Sequence, residues 1–177
     1  MTQRLDARLA SYSSPMLSIF RIVFGLLFTL HGAQKILAWP TGMQSGPGVF
    51  DGPAVPVGTW PFWWAGLIEL VLGILITIGL FTRIAAFIAA GHMAVAYFWK
   101  HLPSSFFPIE NGGEPAILFC FGFLLLATTG AGAWSVDGRR RVGAGYTGRR
   151  AGYTRGTATT AVPRRRGLAG LRDRFSR

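Results

Sequence analysis

The segment PFWWAGLIELVLGILITIGL, residues 61 to 80, decides what kind of protein this chain can form. It is almost entirely apolar, and Glu69 is its single charged residue. A helix needs about 20 mostly apolar residues to cross the roughly 30 Å hydrocarbon core of a bilayer. The segment therefore predicts a membrane-spanning helix that carries one acidic side chain.

Three further apolar blocks lie at residues 16–37, 84–99 and 115–134. The first and last are long enough to span, whereas 84–99 is short and rich in alanine, so we expect it to span only with its flanks or where the bilayer thins. Half of the 177 residues are hydrophobic, 14% are charged and the mean hydropathy is +0.37, which is typical of membrane proteins. The sequence predicts an all-α fold, an integral membrane bundle of four transmembrane helices over residues 16–137.

The net charge of +11 lies entirely at the C-terminal end of the chain. Residues 1–137 contain six basic and six acidic residues, whereas residues 138–177 contain twelve arginines and one aspartate. This tail is rich in Gly, Thr and Arg and has no sustained apolar period, so we expect it to be disordered. The positive-inside rule then predicts that the tail and the N-terminal segment, residues 1–15, are both cytoplasmic. Such a tail would bind nucleic acid only through generic charge, and we expect no specific nucleic-acid partner.

Polar residues within apolar helices are the best indications of function, because charge is costly in the membrane and usually faces a partner or a cavity. Glu69 is expected close to the depth of His31 in the outer half of the bundle, where His31 or the long side chain of Lys35 could reach it. Arg21 is expected deeper, where it could also reach for Glu69, so Arg21 and Glu69 are candidates for helix pairing. The sequence contains no HExxH or CxxC motif, and we predict no metal site. The predicted ligand-binding set is His31, Lys35, Glu69, His101, Glu110, Asn111 and Glu114.

Each of these features also has a purely structural explanation. A glutamate paired with lysine or arginine can simply hold two helices together. His31 and His92 can serve as packing or hydrogen-bonding groups. The glycines within the helices are interpreted as close-contact positions between helices, and they are Gly25, Gly66, Gly73 and Gly91.

The stretch PIENGGEP, residues 108–115, places two glutamates around an Asn-Gly-Gly turn just before the last apolar block. Glu114 is predicted to cap that helix and Pro115 to occupy its first position, where proline is favoured. Capping does not account for Glu110, which we expect on the outer side near Lys100 and His101. The turn is therefore predicted to close the mouth of a polar pocket.

Four runs together give the chain a family resemblance. They are RIVFGLLFTLHGAQKIL (21–37), GLIELVLGILITIGLFTRIAA (66–86), HMAVAYFWKH (92–101) and NGGEPAILFCFGFLLLATTGAGAWSVD (111–137). In order and spacing they resemble the DoxX family of small four-helix membrane proteins, over about residues 16–137.

The resemblance implies a bundle in the bacterial cytoplasmic membrane. It also implies association with oxidoreductase systems, including quinone-linked thiosulfate oxidation, or with oxidative-stress partners such as superoxide dismutase and a sulfurtransferase. The polar positions that match the family are Arg21, His31, Lys35, Glu69, His101, Asn111 and Glu114.

Three functions follow as hypotheses, and whether the protein is an enzyme stays open among them. The first is binding of a quinone or catechol-like molecule in an outer-leaflet pocket, with aromatic walls from Phe62, Trp63, Trp64, Phe98 and Phe106. The second is a non-catalytic scaffold that recruits a soluble redox or sulfur-transfer protein. The third is transport of a small solute, for which the bundle would need to form a homo-oligomer. In every case membrane lipids are expected partners, and a quinone is the one cofactor considered.

Overall fold

The computed structural model describes residues 2–139, which are mostly helical. The predicted tail therefore lies outside the described residues from residue 140 onward. The α-helices are α1 (Thr2–Leu37), α2 (Phe62–Ile78), α3 (Thr82–Ala96), α4 (Pro108–Asn111) and α5 (Glu114–Thr129). A π-helix (Tyr97–His101) continues α3. Strands β1 (Met43–Gly46) and β2 (Val49–Gly52) form a hairpin.

Helix α1 begins at Thr2, so the segment predicted to precede the first helix is itself helical. Pro15 lies inside α1, although proline removes one backbone hydrogen bond and usually marks a helix start. In the turns before the proline, the hydroxyls of Ser11 and Ser13 donate to the carbonyls of Arg8 and Ala10.

Within the described residues, the segment Arg8–Leu37 of α1 is long and apolar enough to cross a membrane. Helices α2 and α5 are also apolar but contain only 17 and 16 residues. Helix α5 ends at Thr129, earlier than the predicted residue 134, because Gly130 and Gly132 adopt positive φ angles of 95° and 74° that break the helix.

The described residues are mostly helical, as predicted, but the long loop between α1 and α2 adds a short hairpin that the all-α expectation did not include. Strands β1 and β2 pair antiparallel there, with Met43 opposite Gly52. Gly48, with φ of 74°, supplies the left-handed residue of the connecting turn. The hairpin brings Met43 back toward the helices at the end where α1 stops and α2 begins.

Helices α1 and α2 approach closely because glycines on each helix face threonines on the other. A Cβ atom at Gly25 would lie 2.5 Å from Thr77 Oγ1, and one at Gly73 would lie 2.5 Å from Thr29 Oγ1. Gly66 is equally restricted by Lys35, so three of the predicted close contacts are confirmed. Gly91 is the exception: among the described residues, a Cβ atom there would meet no other helix and would point into open space.

We expect Gly73→Ala to lower the free energy of unfolding by about 1–3 kcal/mol, because its methyl group would press on the backbone of Thr29. A titration from mild detergent into sodium dodecyl sulfate would measure this loss. Gly91→Ala is the matched control, since its methyl group meets open space. Equal stability of both variants would show that α1 and α2 are not held at this distance.

Helices α3 and α5 pack small residues against large ones. Ala85, Ala86, Ala89 and Ala90 are buried on α3, and the buried rings of α5, including Phe123, fill the space they leave. The Phe28 ring of α1 packs edge-on against Phe123, with centroids 4.8 Å apart. This core separates the two ends of the helices.

At one end, which we call the arginine end, charged side chains satisfy the helix termini. Arg21 is 1% exposed and donates to the carbonyls of Ile76 (2.8 Å), Thr77 (2.6 Å) and Trp134 (2.5 Å). The expectation that Arg21 reaches Glu69 is therefore wrong: it pairs α1 with the carbonyl-rich end of α2, where a cation is favoured.

Two more charged residues act in the same way at the arginine end. The Asp137 carboxylate accepts hydrogen bonds from the backbone N–H groups of Phe81 (3.0 Å) and Thr82 (2.8 Å), at the start of α3. Arg83 donates to the carbonyls of Ala127 and Thr128 at the end of α5. Helix α3 consequently begins at Thr82, before the predicted residue 84.

Candidate functional site

A cavity of about 610 Å³ lies at the opposite end, which we call the cavity end. Its walls come from α1, α2, α3 with its π-helix, and α5, and Met43 of the hairpin contributes from the loop. Most of the lining is apolar, with polar groups concentrated in a few side chains. The lining residues are Phe28, His31, Lys35, Met43, Trp60, Pro61, Phe62, Trp64, Ala65, Ile68, Glu69, His92, Met93, Val95, Ala96, Trp99, Lys100, His101, Pro115, Ala116 and Phe119.

Glu69 forms the polar centre of the cavity. It is 3% exposed, and each of its carboxylate oxygens has a partner from a different helix. Lys35 of α1 donates to Oε2 and forms an ion pair with it, which is one of the two contacts expected for Glu69. His92 of α3 places Nε2 3.3 Å from Oε1. The carboxylate therefore links three helices, and both of its oxygens are already engaged.

The π-helix brings Lys100 and His101 to the cavity. His101 Nδ1 lies 2.9 Å from the carbonyl oxygen of Asn111, so Nδ1 carries the hydrogen and Nε2 of the neutral ring is left as an acceptor. Lys100 Nζ lies 5.7 Å from the centre of the Phe62 ring, within cation–π range. A single turn of π-helix often marks a functional position.

Four of the residues predicted for the site, His31, Lys35, Glu69 and His101, line the cavity. The other three lie outside its lining. Glu110 is exposed and accepts a hydrogen bond from Ser105 Oγ at 2.6 Å. Asn111 shapes the turn, because its Oδ1 accepts from the N–H of Gly113 at 2.7 Å. Asn111 thus acts on the cavity only through the carbonyl that holds His101.

The predicted cap at Glu114 is also corrected. Gly113 occupies the N-cap position, and Glu114 and Pro115 are the first residues of α5. The side chain of Glu114 is exposed and makes no capping hydrogen bond in the described structure. Its negative charge in the first turn still complements the helix dipole.

The aromatic walls differ in part from the prediction. Phe62 and Trp64 line the cavity, whereas Trp63, Phe98 and Phe106 do not. Their places are taken by four aromatic residues that the sequence did not single out for the walls: Phe28, Trp60, Trp99 and Phe119.

His92 is the main polar residue missing from the predicted site. The sequence contains a signal for it, because His92 lies near the middle of its apolar block, as Glu69 does. Met43 reaches the cavity because the loop between α1 and α2 forms the hairpin. The Gly- and Pro-rich sequence of this loop did not predict a hairpin. Within residues 2–139, no group of three or more His, Cys, Asp or Glu side chains is arranged to hold a metal ion.

This arrangement can hold a flat, mostly apolar molecule with polar atoms at one end. Rings on several helices provide stacking surfaces, Lys35 and Lys100 offer donors, and Nε2 of His101 offers an acceptor. The partly exposed Lys35 and His92 flank a buried carboxylate, so hydrogen bonds and protons can be exchanged within one cluster.

Comparison with known proteins gives the family. The sequence profile of the DoxX family matches residues 16–102. A protein of Haemophilus influenzae, described as uncharacterized, is 42% identical over 134 residues, which cover 74% of this chain and 95% of the relative. A protein of Mycobacterium tuberculosis, described as an uncharacterized membrane protein, is 30% identical over 135 residues, covering 71% of this chain and 81% of the relative. No solved structure matches the chain. The chain therefore belongs to the DoxX family, and it is a membrane protein.

Proposed function

We propose that this protein is the membrane component of a redox or oxidative-stress system and that its cavity binds a quinone or a catechol-like molecule. The observation that carries the proposal is the Lys35–Glu69–His92 cluster in the wall of a mostly apolar, aromatic cavity. A volume of about 610 Å³ lies within the usual range for small-molecule sites.

The chemistry of a quinone matches the polar groups of the cavity. Reduction of a quinone consumes protons together with electrons, so the site needs groups that donate to a carbonyl oxygen and accept from a hydroxyl. Lys35 can donate to a carbonyl oxygen, and Nε2 of His101 can accept from a hydroxyl. Glu69 holds Lys35 and His92 in place through its two carboxylate oxygens. Electrons would come from a soluble partner protein or from a second substrate.

The proposal is tested by titrating a water-soluble menaquinone analogue into the purified protein and measuring its dissociation constant. We expect Glu69→Gln to weaken binding at least about tenfold, because the neutral amide no longer holds Lys35 and His92 by charge. Glu110→Gln is the matched control, since Glu110 lies outside the cavity lining, and it should bind as the wild type does. Equal affinity of Glu69→Gln and wild type, or no binding by either, would overturn the proposal.

We further infer that α1, α2, α3 and α5 all cross the bacterial cytoplasmic membrane as a four-helix bundle. In this orientation the arginine end and both termini are cytoplasmic, and the cavity faces the outer leaflet. Two observations support the orientation. Arg21 and Arg83 lie at the arginine end, and twelve further arginines follow residue 137. Basic residues favour the cytoplasmic side.

A cysteine accessibility experiment tests the topology. In a Cys120→Ser background, Val57→Cys at the cavity end should react with a membrane-impermeant maleimide on intact cells, because Val57 is 85% exposed. Arg139→Cys, also exposed, should react only after the membrane is permeabilised. The reverse pattern would invert the orientation.

The alternative is a scaffold that recruits a soluble partner through residues 138–177, and it rests on the twelve arginines there. It predicts that a chain ending at residue 137 retains the helical domain in membranes but no longer recovers its redox partner. Equal recovery by the truncated and full-length chains would exclude recruitment by the tail.

A further inference from the structure

Several cavity residues also belong to the outward face of their helix. On α2, Trp64 and Ile68 line the cavity and are 45% and 40% exposed. The same helical stripe continues with Val71 and Ile78, which are 47% and 45% exposed but do not line the cavity. Trp64 and Ile68 therefore lie where the cavity meets the outer surface of α2.

Helix α3 shows the same arrangement on the other side of the cavity edge. Val95 lines the cavity and is 55% exposed. It continues a stripe formed by Ile84 and Ile88, which are exposed without touching the cavity. The boundary residues of α2 and α3 are all apolar, so the edge of the cavity between these helices presents hydrocarbon and aromatic surface.

Two contacts between the α2 side and the α3 side of the cavity lie at the two ends of this edge. On the side toward the arginine end, Glu69 and His92 join α2 to α3. On the other side, the rings of Trp60 and Trp99 lie 6.4 Å apart. Between these two bridges the cavity is lined by Ala65 of α2 and Ala96 of α3, whose small side chains leave room.

The opposite wall, between α1 and α5, is filled by rings. Phe119 of α5 lies with its ring centre 5.7 Å from that of Phe28 and 5.7 Å from that of His31. Phe28 and Phe119 are buried. A long molecule anchored at Glu69 therefore has its apolar exit between α2 and α3 rather than between α1 and α5.

The geometry points to a lateral opening between α2 and α3 through which the ligand's apolar tail extends into the surrounding lipid. This inference rests on the proposed function, in which α2 and α3 are embedded in the bilayer. The polar head of the ligand lies near Lys35 and Glu69, and its tail passes Ile68 and Val95. The ligand class is then a quinone with an isoprenoid chain, since a tailless one would leave the apolar opening unused.

The contribution of the tail to affinity can be measured with two naphthoquinones that share the same head. Menadione has no chain, and the second compound is a menaquinone with a short isoprenoid chain. Wild-type protein should bind the chain-bearing compound more tightly. We expect Ile68→Trp to weaken binding of that compound at least about tenfold, and to change menadione binding less than about twofold, because the indole obstructs the tail but not the head. Val71→Trp, one turn away on the same stripe and outside the cavity, should change neither.

The same affinity ratio of the two compounds in wild type and Ile68→Trp would overturn the lateral opening. Failure of both compounds to bind to the wild type would instead overturn the proposed function.

A labelling experiment tests the opening without any quinone. In liposomes, Ala96→Cys in a Cys120→Ser background should react with N-dodecylmaleimide dissolved in the bilayer. Addition of Ile68→Trp should slow the reaction about tenfold, whereas addition of Val71→Trp should not. If both additions leave the rate unchanged, lipid-dissolved molecules do not reach the cavity between α2 and α3, and the inference is wrong whatever the ligand is.

Discussion

Replacement of Lys35 by methionine is expected to lower the free energy of unfolding by about 2–4 kcal/mol, because it leaves the Glu69 carboxylate without its cationic partner. The side chain of Glu69 is 5% exposed, so water cannot readily replace the lost ammonium group. The expected loss is smaller than for a fully buried pair because the Lys35 side chain is 21% exposed and His92 stays beside Glu69. Titration from mild detergent into sodium dodecyl sulfate measures this change.

The double variant Lys35→Met/Glu69→Gln distinguishes the stability lost to an unpaired buried charge from the stability lost to poorer packing. It removes both charges while keeping the two side-chain shapes, so most of the lost stability should return. If the double variant were no more stable than Lys35→Met alone, the cost would come from packing, and the ion pair would not be the feature that holds the cavity together.

The second large effect is expected at Arg21, where methionine should lower the free energy of unfolding by about 3–5 kcal/mol. The guanidinium group is buried and donates to carbonyls of α2 and of the segment that contains Trp134. Methionine fills similar space but donates no hydrogen bond, so carbonyls such as that of Thr77 lose the donor that the guanidinium supplies. Unfolding in the same detergent titration gives the magnitude.

Arg21→Lys is the informative companion variant. A lysine keeps the positive charge near the end of α2 but lacks the planar fork that reaches two chain segments together. We therefore expect it to be intermediate in stability. Wild-type stability of Arg21→Met would contradict the role assigned to Arg21 in joining α1 to the end of α2.

The sequence predicted the positions of the helices better than their ends. Apolar length places α2 and α5 correctly, because burial or lipid contact requires a continuous apolar run. The ends depend on distant residues: Asp137 caps the start of α3, and Arg83 binds the last carbonyls of α5. No local pattern announces such contacts, since the partners are far apart in the chain.

The polar site was predictable where depth along a helix decides the contact. Glu69 was expected at about the depth of His31 and within reach of the long Lys35 side chain, and the structure joins it to Lys35. Depth could not place Glu110, because it lies in the short helix α4 between the longer helices, and here Ser105 holds the carboxylate. The π-helix that turns His101 toward the cavity also has no signature in the local pattern of apolar residues.

If the cavity holds a quinone-like molecule, that molecule should copurify with the protein, so the decisive measurement is an inventory of the copurifying lipophilic molecules. The protein would be purified in mild detergent, extracted and examined by mass spectrometry, beside the cavity-filling variant Ala65→Trp and the control Val71→Trp. We expect a quinone in near-equimolar amount with wild type and Val71→Trp, and its loss from Ala65→Trp. Absence of any quinone from the wild type, or equal amounts in all three proteins, would contradict it.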